Sequence, residues 1–173
     1  MPELNIELLQ AVDEEITKNL VKNLINLTGY STTINNGFTD LISFLDKERQ
    51  QYNAVQIIES LNFQKYDKSI LITDVDLFIP IFTFVFGLAK LSGDIGIVSI
   101  HRLNNIYYGL PEDKDILKSR LIKEIVHELG HLHGLKHCER YDCVMTSSTV
   151  VEELDTKGET YCNSCIIQIK SNN

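Results

Sequence analysis

The chain is 173 residues long, 43% hydrophobic and 23% charged, which fits a soluble globular domain and excludes a disordered or fibrous chain. Lys and Arg number 16 against 24 Asp and Glu, a formal charge of −8, so there is no general electrostatic footprint for nucleic acid or anionic lipid. The N-terminus lacks the basic start of a secretory signal. The longest nearly apolar run, Leu77 to Ala89, contains Pro80 and falls short of the roughly 20 residues that span a bilayer. A cytoplasmic protein with no nucleic-acid or membrane partner is expected.

In chain order, Leu4-Asn5-Ile6-Glu7-Leu8-Leu9 alternates partially and predicts a strand. Asp13-Glu14-Glu15 opens a predicted helix with Ile16, Leu20, Leu24 and Leu27 at helical spacing, and Gly29 ends it. Tyr30 to Ile34 is a short β-rich run closed by the turn signal Asn35-Asn36-Gly37. Glu48 to Leu61 reads as a helix with Tyr52, Val55, Ile58 and Leu61 on one side, and Ser69 to Thr73 as a buried strand. Phe82 to Leu88 and Ile95 to Ile100 are two strands whose short connection predicts an antiparallel hairpin. Pro111-Glu112-Asp113 starts a long helix to about His133, and a cysteine-rich irregular segment follows. The expected fold is α/β of the α+β kind, a twisted mixed sheet packed with helices.

The chemistry gathers near the C-terminus, where four of the five histidines fall between 127 and 137. Each helical residue advances about 100°, so His127 and His131 stand one turn apart on one face and can reach one metal ion. Leu121, Ile122, Ile125, Leu129 and Leu132 lie on the opposite side of the helix. Gly134 can turn the chain in a left-handed conformation and bring His137 back as a third ligand. Three neutral imidazoles leave a tetrahedral zinc with one position open for water. Glu128 is the candidate general base, taking a proton as that water attacks a carbonyl. A bare H-E-x-x-H arises by chance in many helices; Gly134 and His137 at their offsets make the signal specific. His133 points away from the pair and reads as a surface or supporting residue. Glu124 reads either as an ordinary surface carboxylate or as a group that orients an imidazole. His101 takes no role.

Cys138 and Cys143, followed by Cys162-Asn163-Ser164-Cys165, supply four thiolates in the pattern of a closed structural zinc site. A redox role for the C-x-x-C pair is disfavoured, because it lacks a strand-to-helix setting and has two further cysteines upstream. A zinc there would staple the C-terminal segment to the body.

The run from His127 through His137-Cys138, Cys143, Met145 and Cys162-x-x-Cys165 resembles the archaemetzincins, a branch of the metzincin clan of zinc metallopeptidases. Arg49 to Ala54, Thr73 to Phe78, Phe84 to Gly87 and Val98-Ser99 are similar to that family as well. The resemblance implies one metzincin-like zincin domain over residues 1–173, with 1–133 as the upper sheet-and-helix part and 134–173 as a zinc-stapled C-terminal part. It implies two zinc ions per chain, a catalytic one on His127, His131 and His137 and a structural one on Cys138, Cys143, Cys162 and Cys165. Glu128 would be the base. Met145 would be the methionine of the turn beneath the metal, a space-filling thioether and not a ligand. The expected activity is hydrolysis of peptide bonds in a peptide or protein substrate, by a monomer.

The Phe82 to Leu88 strand is the candidate edge for pairing with an extended peptide, against its plain reading as a buried hairpin strand. Tyr141 and Tyr161 are candidates for assisting an oxyanion, with simple packing the favoured reading. The alternative function is a zinc-stabilised scaffold that binds peptides or proteins with little or no turnover, which would have no use for the carboxylate of Glu128. A nucleic-acid zinc ribbon is disfavoured by the acidic charge.

Overall fold

The computed structural model describes residues 1–9, 12–37, 40–61 and 65–172. In chain order its elements are β1 (Glu3–Leu8), α1 (Glu14–Thr17), α2 (Leu20–Thr28), β2 (Ser31–Asn36), β3 (Leu45–Asp46), β4 (Gln51–Asn53), α3 (Ala54–Ser60) and β5 (Lys68–Thr73). They continue with β6 (Leu77–Ile79), β7 (Phe82–Val85), β8 (Gly87–Ala89), β9 (Ile95–Ser99), α4 (Lys114–Leu132), α5 (Val151–Thr156) and α6 (Asn163–Asn172).

The main sheet has the order β2-β1-β5-β9-β8, parallel except for the antiparallel edge strand β8. A central parallel strand is covered on both faces and so reads as a continuous apolar run. Accordingly Ile70, Leu71 and Ile72 of β5 are all fully buried. One face of the sheet meets Leu24 of α2 and Leu121, Ile125 and Leu129 of α4; the other meets Ala54 and Ile57 of α3. A second sheet, β3-β4-β6-β7, lies beside the first. The result is the expected mixed α/β architecture. Among the described residues no helix is long and apolar enough to cross a membrane.

Several local expectations give way to longer-range pairing. The helix expected from Asp13 to Gly29 is two helices, α1 and α2, because Asn19 between them takes a left-handed conformation with φ 66°, which asparagine tolerates better than most residues. Asp13 caps α1 and Gly29 ends α2 in a left-handed conformation, as the pattern indicated. Asn35 and Asn36 do not turn the chain: β2 runs through them opposite Glu7 and Leu8, and the Asn35 amide donates to Asn5 Oδ1 at 2.7 Å. The first part of the Glu48–Leu61 helix is instead a turn to Gln50 followed by strand β4. Helix α3 starts only at Ala54, where the Asn53 side chain accepts the N–H groups of Val55 and Gln56.

The strand expected over Phe82 to Leu88 divides at Phe86. Its first half, β7, pairs with β6 in the second sheet, and its second half, β8, pairs with β9 as the expected hairpin. The segment after His133 is not irregular throughout, since it carries α5 and α6.

Candidate active site

Asp113 opens α4 by accepting the N–H groups of Asp115 and Ile116. At the other end, the N–H groups of His133, Gly134 and Leu135 turn back onto the carbonyls of Leu129, Gly130 and His131. Gly134 makes this turn at φ 83°, a conformation that costs a residue bearing Cβ. The turn returns His137 to the helix. Its ring centroid lies 5.3 Å from that of His127 and 5.0 Å from that of His131, which are themselves 4.7 Å apart.

One ring nitrogen from each of the three histidines lies within 4.8 Å of the others. The Nε2 atoms of His127 and His131 are 3.2 Å apart, close to the roughly 3.3 Å separation set by a tetrahedral zinc with bonds of about 2.0 Å. His127 Nδ1 donates to the Val144 carbonyl at 2.8 Å, and His131 Nδ1 to the Leu135 carbonyl at 2.7 Å. These two bonds select the tautomer that leaves each Nε2 lone pair pointing into the cluster. Burial holds the pKa of all three rings below the ordinary histidine value, and the positive charge of Lys157 adds to the effect. Neutral imidazoles are the form that binds metal.

A cleft of about 500 Å³ runs past this cluster, between β7–β8 and residues 147–149. Glu128 lies in its wall beside the histidines and is only 4% exposed. Its Oε2 is buried without a hydrogen-bond partner among the described residues. Such a group is costly to bury, and it marks a place shaped for something other than stability. Burial pushes its pKa well above the carboxylate range; nearby Glu124 pushes the same way and Lys157 opposes. Gly87 makes room for it, because a Cβ there would lie 2.7 Å from Glu128 Oε1.

Met145 is fully buried, and a Cβ on Gly130 would strike its sulfur, so the thioether sits directly against α4 near both helix histidines. The Met145 carbonyl accepts the Cys138 N–H at 2.9 Å. The four cysteine sulfurs also lie within 4.8 Å of one another. Cys138 to Cys162 is 3.9 Å and Cys143 to Cys165 is 3.7 Å. A tetrahedral zinc with bonds of about 2.3 Å places its sulfurs about 3.8 Å apart, whereas a disulfide requires about 2 Å. Both donor sets therefore fit zinc. The C-x-x-C pair does open a helix, α6, but no strand leads into it, and the Cys165 N–H beside it pulls the Cys162 thiol down to about 7. Its sulfurs nonetheless converge with the other two.

The remaining candidates sort plainly. Glu124 is neither exposed nor bonded to an imidazole: it is buried in an ion pair with Lys157 at 3.1 Å, and Lys157 also donates to the Thr146 carbonyl at 3.3 Å. Lys157 lies 33 residues from Glu124, and no local pattern singled it out. His133 stands outside the imidazole cluster with its Nε2 3.1 Å from the Tyr30 hydroxyl. Tyr161 is a packing residue whose hydroxyl donates to the Val126 carbonyl at 2.6 Å. Tyr141 is 83% exposed and does not pack. His101 lies against Tyr107, apart from the cluster.

Fold and donor clusters together are those of a zinc metallopeptidase of the metzincin type. The profile of peptidase family M54 matches residues 9–171. The archaemetzincin of Natronomonas pharaonis is 44% identical over 128 residues, covering 72% of this chain and 74% of that protein. That of Pyrococcus horikoshii is 39% identical over 131 residues, covering 73% and 70%. Among solved structures, a zinc-dependent peptidase from Methanocorpusculum labreanum superposes with a TM-score of 0.87 at 28% identity, over 96% of this chain and 99% of that one. The archaemetzincin of Methanopyrus kandleri superposes with a TM-score of 0.86 at 28% identity, over 99% and 94%. The chain belongs to peptidase family M54, the family of these archaemetzincins.

Proposed function

We propose that the chain hydrolyses peptide bonds at the cleft beside α4. His127, His131 and His137 would hold the catalytic zinc, Glu128 is the general base, and Cys138, Cys143, Cys162 and Cys165 would hold a structural zinc. The observation that carries this reading is the buried, unpartnered Oε2 of Glu128 in the same cleft wall as three converging imidazoles. Zinc bound there supplies a Lewis acid that acidifies water and polarises a carbonyl.

The protein's own groups do the rest. Val144 and Leu135 carbonyls hold two imidazoles in one tautomer. The raised proton affinity of Glu128 suits a carboxylate that takes a proton from attacking water and returns it to the leaving amine. Met145 fills the space under the helix without acting as a ligand.

Edge strand β8, paired with β9 on one side and lining the cleft, suits an extended peptide added by main-chain hydrogen bonds. On this reading residues 1–173 form one domain, divided at His133 into an upper and a C-terminal part, that acts as a monomer in the cytoplasm on a peptide or protein. A peptide-binding scaffold without turnover would leave the orphaned carboxylate without a purpose. A peptide-library screen of the zinc-loaded protein tests the reading: cleavage is expected from the wild type and not from Glu128→Ala. Equal cleavage by both would sink it.

A further inference from the structure

The wall of the cleft opposite α4 is aromatic and externally braced. Phe82 is 56% exposed at its mouth, Phe84 is half-buried, and Phe86 is buried, with Phe84 and Phe86 edge to face at 5.3 Å. Phe84 is backed by Arg102, whose guanidinium carbon lies 4.2 Å from its ring centroid and 4.7 Å from that of Tyr107. Two bonds to Asp76 fix that guanidinium, from Nε at 2.6 Å and from the terminal nitrogen at 2.7 Å. The Gln51 amide joins the same carboxylate, at 3.0 Å, to the Thr83 carbonyl of β7, also at 3.0 Å. Backbone and ring are thus both held from behind.

A half-buried phenylalanine with only core packing to satisfy needs no bidentate clamp. A ring held in a fixed plane beside a cleft, with Ile79, Val85 and Leu88 in the same wall, offers a rigid surface to another flat or bulky apolar group. Preordering of this kind removes the entropy that a mobile wall would lose on binding.

We propose that Phe84, positioned by the Asp76–Arg102 clamp, makes the cleft select peptides carrying a large apolar, above all aromatic, side chain near the reacting bond. Phe84 is the specificity-determining residue and Arg102 a positioning residue that acts through it. The inference rests on the peptidase reading for the identity of the ligand as a peptide.

Binding separates the two ideas. Short alanine-based peptides with a single Phe moved along the sequence are titrated against zinc-loaded Glu128→Ala protein, while cleavage is followed with Glu128 intact. One Phe position is expected to bind about tenfold or more tightly than the all-alanine peptide, the scale of an apolar subsite. Arg102→Lys keeps an ion pair with Asp76, and so the fold, but loses the flat cation that spans both rings. It is expected to cut the Phe advantage about threefold to tenfold, the range of a lost cation–π contact, leaving alanine-peptide affinity and zinc content unchanged. Phe84→Leu should remove the preference for Phe over Leu. If no Phe position gains affinity, or if Arg102→Lys weakens both peptides alike, the subsite is refuted whether or not cleavage occurs. Selective binding without cleavage by the intact protein would refute the peptidase reading and leave the subsite standing.

Discussion

His137 and Cys138 are consecutive residues that belong to different donor clusters, one of imidazoles and one of thiols. A second link runs parallel to it: Cys143 precedes Val144, whose carbonyl orients His127. The thiol cluster is therefore next in sequence to one imidazole ligand and to the acceptor that orients another. Ordering the sulfurs should order both His137 and the acceptor of His127. Replacing Cys162 and Cys165 together by serine is expected to lose the structural zinc and also to weaken zinc at the histidines by about 10- to 100-fold, the usual effect of disturbing a ligand's supporting partner. Competition with a chelator, read by elemental analysis from an expected starting content of two zinc ions per chain, checks this. Unchanged affinity at the histidine site would show that the two clusters are independent.

Glu128 offers a test in which stability and activity move in opposite directions. Glu128→Gln removes the proposed base, so turnover should fall by about 100- to 10,000-fold with zinc retained. The same change removes a buried carboxyl that ionises less readily in the folded chain than in the unfolded one. Metal-free protein at pH 7 should therefore gain stability, measured by urea unfolding. A loss of stability would mean that the carboxylate holds the fold together, and the site would need another base.

The separation between what was legible and what was not follows sequence distance. Two histidines a helical turn apart, a glycine that turns the chain and a C-x-x-C pair act within a few residues, so spacing alone brings their donor atoms together. The buried run Ile70-Leu71-Ile72 likewise announced a covered strand. The Glu124–Lys157 pair, the crossing of residues 82–89 from one sheet to the other at Phe86, and the Asn35–Asn5 bond depend on segments remote in the chain. In each case a tertiary partner overrode the local signal: asparagines that favour turns found cross-strand partners, and a carboxylate read as a surface group or an imidazole partner found a buried lysine.

Without metal, pH should act on the histidines in a definite direction. Burial depresses their pKa in the folded state below the ordinary value of 6.5, most strongly at His127. The unfolded chain then binds more protons between the folded and unfolded values, so stability is present above about pH 6.5 and is lost as pH falls through the depressed values. Glu128, with its pKa raised, works oppositely: its contribution is full below the ordinary carboxylate value and is lost as pH rises through the raised one. Metal-free Glu128→Gln should accordingly lose stability more steeply than the wild type as pH falls from 7 to 5 in urea unfolding. Parallel profiles would show that Glu128 is not perturbed by its site.

Gly87 lies on the edge strand opposite α4, where a Cβ would come within 2.7 Å of Glu128 Oε1 and 2.9 Å of the Ile97 carbonyl. The carboxylate could swing aside, but the carbonyl belongs to the backbone of β9, which is paired on both sides. Gly87→Ala must therefore displace either β8, the proposed peptide-pairing edge with a strand on one side only, or Glu128, the proposed base, so substrate and base lose their alignment in either case. No donor atom of either cluster belongs to β8, so both zinc ions should stay. Displacing a reacting group by about 1 Å costs about 100-fold in rate. The expected variant is thus folded, carries two zinc ions by elemental analysis, and cleaves peptides about 100-fold more slowly than the wild type. A Gly87→Ala protein with full activity would mean that neither the β8 edge nor the carboxylate beside it has a part in the chemistry.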